Sequence, residues 1–147
     1  MTINQKNDAL TNDQKNAIKG SIKQYIKRHS GDFSFAQTKI LMTEIEKISR
    51  DSRINVVELS IYLKAVLKHL ELEKCRLFDQ KAEHTLLAAL RYFIETDDVI
   101  PDWEIDGYED DIYCLNIAIK GLNKDRQNKI EQSVKAMKAN VGFIDGT

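Results

Sequence analysis

One proline and six glycines in 147 residues leave this chain short of residues that build tight turns. That scarcity argues against a sandwich or barrel, whose many short strands need them. Cysteine is scarce as well. Cys75 and Cys114 lie far apart in sequence, with no second thiol or histidine at metal-ligand spacing, so neither a disulfide framework nor a zinc site is signalled. Both thiols are expected reduced. No run approaches the roughly 18 consecutive apolar residues of a membrane span, and the opening MTINQKNDAL lacks the charged flank, apolar run and cleavage site of a secretory signal. The expectation is a cytoplasmic protein. Catalytic signatures are missing too: there is no Gly-rich phosphate loop, no Gly-x-Ser-x-Gly elbow, and no histidine near either cysteine in sequence. His29, His69 and His84 fall on separate expected helices and read as surface or helix-end residues. No catalytic residue is proposed.

What the chain has is helical periodicity. With 42% apolar and 31% charged residues the composition is globular, and the length suits one domain, residues 1–147. Ile18, Ile22, Tyr25 and Ile26 recur at helical spacing behind Thr11 and Gln14, a capping-box pattern, which predicts a helix over 11–29. Ser34 with Gln37 repeats the signature ahead of Leu41, Ile45 and Ile48. Asn55 with Glu58 makes a third box-like pair, with Ile54 and Leu59 spaced as a hydrophobic staple, before the stripe of Leu63, Val66, Leu67 and Leu70. Asp79 can cap a fourth helix that buries Leu86, Leu87, Leu90, Phe93 and Ile94 beside the small Ala88 and Ala89. Tyr108, Ile112, Leu115, Ile119 and Leu122 mark a fifth. Ile130, Val134 and Met137 mark a sixth, more exposed one. The fold expected is all-α, a single compact bundle of about six helices, with residues 1–10 and 141–147 as flexible tails. Leu63, Leu67, Leu87, Leu90, Phe93, Ile112, Leu115 and Ile119 are the expected core.

Between the fourth and fifth helices lies the densest acid in the chain. Glu95, Asp97, Asp98, Asp102, Glu104, Asp106, Glu109, Asp110 and Asp111 fall in a stretch with no Lys or Arg, so that stretch is −9 and the rest of the chain +8. Pro101 cannot continue a helix and forces Ile100 into extended backbone, which predicts a helix-to-helix corner in which Trp103 is partly buried beside Pro101. Asp106 or a neighbouring acid can accept from amides at the next helix start. Glu109, Asp110 and Asp111 stand in the first turn, where the helix dipole favours negative charge.

The residues 90–122 also carry a family resemblance. Tyr92-Phe93-Ile94, Asp98-Val99-Ile100-Pro101-Asp102 and Gly107-Tyr108-Glu109-Asp110-Asp111 resemble the signature of the YkvA-like family, small and mostly bacterial helical proteins of unknown function. The resemblance implies a helix ending in an aromatic turn, an Asp-x-Ile-Pro-Asp element and a Gly-Tyr-x-Asp-Asp helix start, with Pro101, Trp103, Gly107 and Tyr108 as the structural corner. The chain departs from the family at Glu95-Thr96-Asp97, where a proline is usual, and at Trp103-Glu104-Ile105-Asp106, where the loop is usually apolar.

Nine unrelieved carboxylates repel one another, so they are expected either to spread into solvent or to hold a cation. Asp102-Trp103-Glu104-Ile105-Asp106-Gly107 is similar to the opening of a calcium-binding EF-hand loop, but the twelfth position, which needs a bidentate glutamate, is Tyr113. A looser magnesium site could draw on Asp98, Asp102, Asp110 and Asp111. The metal alternative therefore comprises Asp98, Asp102, Glu104, Asp106, Asp110 and Asp111 with Mg or Ca, as a cation-binding protein or a metal-dependent enzyme. The favoured expectation has no cofactor.

Lys15, Lys19, Lys23 and Lys27 stand every fourth residue on the first helix, a spacing at which like charges cost an isolated helix ~0.2–0.5 kcal/mol per pair. Such a row, set against the acidic corner, suggests a non-enzymatic interaction or regulatory module. Lys15, Lys19, Lys23, Lys27, Glu109 and Asp110 are its candidate contacts, and its partner is another protein or a second copy of itself. A net charge of −1 and the lack of aromatics among the lysines argue against nucleic acid.

Overall fold

Thr11 opens the first helix as its spacing to Gln14 predicts. The Gln14 backbone N–H donates to Thr11 Oγ1 at 3.1 Å, and the Thr11 N–H donates to Gln14 Oε1 at 2.8 Å. This reciprocal box satisfies amides that a helix start otherwise leaves without intrahelical partners. Six helices follow: α1 (Asn12–Arg28), α2 (Phe35–Ile48), α3 (Ile54–Glu73), α4 (Gln80–Ile94), α5 (Glu109–Lys120) and α6 (Lys124–Asn140). The computed structural model describes residues 3, 10–28, 35–73, 80–95 and 107–143, and among these there is no strand. The protein is an all-helical bundle, as its periodicity predicts. None of these helices is long and apolar enough to cross a membrane.

α4 lies against α1, α2 and α5, α3 lies against α2 and α6, and α1 also meets α5. α3 and α4 are thus enclosed on most sides, and residues 58–63 and 86–93 are buried without a break. A helix clothed in apolar side chains around its circumference belongs in an interior. One hydrophobic core joins the six helices through Ile18, Leu41, Leu59, Leu63, Leu86, Leu90, Ile112, Leu115, Ile119 and Ile130, among others. Each fully buried aliphatic side chain contributes about 1.5–3 kcal/mol against exposure. Of the eight residues expected in the core, seven are buried and Leu67 is half-buried.

The start of α3 differs from the expected box. Ile54 is 58% exposed and staples nothing, and Asn55 lies within the helix. The Arg53 carbonyl accepts the amides of Val56 and Val57, both at 3.1 Å, so Arg53 is the cap residue. Asp51 organises the turn before it. Its Oδ1 accepts from the Arg53 backbone N–H at 2.9 Å and from Arg53 Nε at 2.8 Å, and its Oδ2 accepts from Nη2 at 2.9 Å. A charged acceptor two residues ahead holds the guanidinium by its fork, while Asn55 and Glu58 are bonded instead to Glu109 and Lys138.

Two segments expected as flexible tails are in part built into the fold. Ile3 is 1% exposed, and the Asn116 side chain on α5 holds its backbone from both sides. Asn116 Oδ1 accepts the Ile3 N–H at 2.9 Å, and Asn116 Nδ2 donates to the Ile3 carbonyl at 3.0 Å. A side-chain amide here does what a neighbouring strand would do for an extended residue. Leu10 is buried as well. At the other end Gly142 takes φ +66°, where a Cβ would be strained. Its N–H reaches the Ala139 carbonyl at 3.3 Å and the Phe143 N–H reaches Lys138 O at 2.9 Å, the paired bonds of a Schellman close. Residues 1–2, 4–9 and 144–147 lie outside the described residues.

The Asp51 carboxyl is held below its ordinary value chiefly by the Arg53 side-chain hydrogen bonds, with burial opposing. A lowered native pKa contributes stability that is complete above the usual Asp value of about 3.9 and is lost as pH falls through the native value. Asp51→Ala is expected to cost ~0.5–2 kcal/mol near neutral pH. Urea melts of the two proteins should draw together as the solution is acidified below about pH 4.

Candidate functional site

The corner ends in a helix start that turns inward. Glu109, Asp110 and Asp111 occupy the first turn of α5 at 1%, 0% and 3% exposure, preceded by the buried Gly107 and the half-buried Tyr108. This corrects two expectations. Glu109 and Asp110 were expected at a partner-facing surface, and the acids of this stretch were expected either to spread into solvent or to hold a cation, whereas these three are buried. A carboxylate below 2% exposure presents nothing to a partner.

Their environment shows how burial is tolerated. Tyr92, near the end of α4, donates its hydroxyl to Asp110 Oδ2 at 2.8 Å. Asn55, in the first turn of α3, donates Nδ2 to Glu109 Oε1 at 2.7 Å. α3 has no acid in its own first turn, so Glu109 sets a negative charge at the positive ends of α3 and α5 together. The same two helix starts are joined again by Arg53, whose guanidinium carbon lies 5.1 Å from the centroid of the Tyr108 ring. Tyr108 in turn meets Phe93 of α4 with ring centroids 6.4 Å apart. Arg91, also buried, brings a cation to the last turn of α4. The head of α5 is therefore a fastener for α3, α4 and α5.

Cys114 lies one turn further along α5 and is a fully buried free thiol. Burial pushes its pKa well above the ordinary value, and the negative charges of Asp111 and then Asp110 add to the effect. The thiolate is thus disfavoured twice over, and nucleophilic chemistry has no foothold here.

Asp98, Pro101, Asp102, Trp103, Glu104 and Asp106 lie outside the described residues. Among the described residues no group of three or more His, Cys, Asp or Glu side chains is arranged to hold a metal ion.

The lysine row is partly at the surface. Lys19, Lys23 and Lys27 are exposed, while Lys15 is half-buried with Nζ 5.7 Å from the centroid of the Tyr113 ring on α5. Lys15 is thus drawn into the α1–α5 contact, and the outward row is three lysines long. No acidic side chain among the described residues pairs with those three.

Two features escaped the sequence reading. A groove of about 270 Å³ runs between α2 and α3, floored by Ile45 and Leu67 and flanked by Met42, Glu46, Lys64 and Lys68. His69, expected at a surface or helix end, is 5% exposed, and its Nε2 accepts from Nε of the equally buried Arg126 at 2.9 Å. Arg126 Nη2 reaches Glu83 Oε1 on α4 at 3.2 Å. The available signal was local: His69 follows Tyr62 and Val66 along one face of α3, which placed it inside. Arg126 is 57 residues away, beyond any helical spacing.

No family model matches the chain, and neither a curated protein nor a solved structure shows significant similarity to it.

Tyr92→Phe strips a donor from a buried carboxylate, and a hydrogen bond to a charged group carries ~1.5–3 kcal/mol. A loss in that range is expected in chemical denaturation. In a Cys75→Ser background, Cys114 should react with a thiol reagent at the rate of unfolding. Its raised pKa favours the fold below the unfolded thiol value of about 8.5, so stability should decline as pH rises beyond it.

Proposed function

We propose that the protein is a non-enzymatic interaction module whose α1 docks an acidic protein surface through Lys19, Lys23 and Lys27. The observation that carries this reading is the exposure of three like charges on successive turns, with no acidic side chain among the described residues paired to them. Around them α1 is nearly without acid: Asp13 alone stands against Lys15, Lys19, Lys23, Lys27 and Arg28. The chain as a whole has a net charge of −1, so the positive field is local to this face. Such a field speeds and orients encounter more than it deepens affinity. The inward turn of Glu109 and Asp110 takes the other candidate contacts away from any interface, which leaves α1 as the charged face that supports docking. The YkvA-like resemblance at Gly107-Tyr108-Glu109-Asp110-Asp111 is in keeping with this reading, since those residues act as a fastener and that family brings no reaction with it. A reducing, cytoplasmic setting suits the free buried thiol of Cys114.

The test is a triple charge reversal, Lys19→Glu, Lys23→Glu and Lys27→Glu, compared with the parent in affinity capture and sedimentation at low and high salt. Partners that depend on the face should be lost from the variant, should weaken about tenfold or more as salt rises, and should crosslink to α1 lysines in the parent. A salt-sensitive dimer abolished by the reversal would identify the partner as a second copy. Capture and oligomeric state unchanged by the reversal would sink the proposal, and retention of duplex DNA by the parent at physiological salt would move it to phosphate binding.

A further inference from the structure

The groove between α2 and α3 is built like one half of a helix interface. On α2, Met42, Ile45 and Glu46 stand at i, i+3 and i+4. On α3, Lys64, Leu67, Lys68 and Glu71 stand at i, i+3, i+4 and i+7. These are the rows along which helices interlock, and a furrow between two such rows accepts the ridge of a third helix. Ile45 is the buried floor, Leu67 is half-buried, and Met42 is 57% exposed. Residues 58–63, 65 and 66 of α3 are buried, so Leu67 is where the apolar circumference of that helix reaches the surface. A volume of about 270 Å³ lies below the roughly 300–1,000 Å³ of pockets that enclose a small molecule, and it suits protruding side chains instead.

The two walls of the groove differ in charge. Lys64 and Lys68 rise one turn apart on the α3 side, flanking Leu67, and both are exposed. On the α2 side the acid is Glu46, which is shared between Arg50 at 3.3 Å and Lys64 at 4.0 Å. One exposed carboxylate thus serves two cations, and its reach to Lys64 is at the limit of an ion pair. Glu71 stands at the far end of the groove, one turn past Lys68. At the opposite end the surface continues over Thr43, Lys47 and Arg50, with Lys47 paired to Glu44 at 3.0 Å. Base therefore prevails along α3 beside the apolar floor. An occupant with carboxylates on that flank is attracted, and one with lysines there is repelled.

We propose that the α2–α3 groove receives an amphipathic helix of a partner protein, one that lays apolar side chains from successive turns over Ile45 and Leu67 and sets acidic side chains one turn apart against Lys64 and Lys68. Met42, unbranched and polarisable, closes over the inserted side chains and adapts to their shape. In this mode of recognition, apolar anchors at i, i+3 or i+4 and i+7 supply affinity, and flanking charge supplies register. The groove shares no residue with the docking face on α1, so each stands or falls alone.

Methyl NMR of the full chain, labelled at methionine, tests this with defined peptides. The probe is an alanine-based helical peptide of about four turns, with leucines at i, i+4 and i+7 and glutamates one turn apart on one flank. Two control peptides replace its glutamates by lysines or its leucines by serines. The acidic leucine peptide should shift the Met42 methyl saturably, with Met137 on α6 unmoved as the internal reference, and either control should bind at least about tenfold more weakly. Lys64→Glu combined with Lys68→Glu, both at exposed positions, should turn the preference to the lysine peptide. The triple reversal at Lys19, Lys23 and Lys27 should leave peptide binding unchanged, which separates the groove from the α1 face. Equal binding of the three peptides, an unmoved Met42 methyl, or an acidic preference retained after reversal of Lys64 and Lys68 would overturn the proposal. So would a Met42 shift that follows protein concentration alone, since the occupant would then be a second copy.

Discussion

Three successive carboxylates at the head of α5 have left water, and the arrangement of α3, α4 and α5 is set by what that requires. A buried charge is tolerated only with donors and favourable dipoles around it. Asn55 and Tyr92 supply donors from two other helices, and the starts of α3 and α5 converge so that Glu109 serves both. None of these groups can be placed by its own helix alone. The start of α5 is thus under a three-body constraint, satisfied when all three helices are in register and costly when any one slips.

How far the sequence discloses this depends on range. The Thr11–Gln14 box and the Leu86, Leu90, Ile112, Leu115 and Ile119 stripes are written in spacings of three and four residues, and they appear where expected. The cap of α3 was misassigned because Asp51–Arg53 and Asn55–Glu58 are both plausible local solutions, and Asn55 is taken by a residue 54 positions on. The same reasoning covers His69, Asn116 and the inward acids. An isolated helix start welcomes acids whether they face solvent or protein, and the choice belongs to the neighbours that pack against it. Pro101 and Trp103, the most conspicuous residues of the motif, lie outside the described part of the structure.

Counting charge along the chain gives a different picture from counting it at the surface. The acidic stretch is strongly negative as sequence, yet Glu109, Asp110 and Asp111 are withdrawn into the interior and spent on packing. The lysines of α1 undergo a milder version of the same sorting: Lys15 leans onto an aromatic ring, and three remain outside. A partner senses the folded distribution. Electrostatic arguments from sequence therefore need the burial of each charge before they are turned into a docking surface.

The clasp between Ile3 and Asn116 spans 113 positions, and it carries a consequence for how the protein comes into being. A chain is made from its amino end at roughly 5–20 residues per second, so Ile3 exists for several seconds before its anchor has been synthesised. α1 waits in the same way, since the helices it packs against, α4 and α5, are made late. The α2–α3 hairpin needs nothing beyond residue 73 and can pair early, while α1 remains exposed until the fifth helix clears the ribosome. Its lysines would help to keep that waiting helix in solution, a service to the nascent chain that the finished fold conceals.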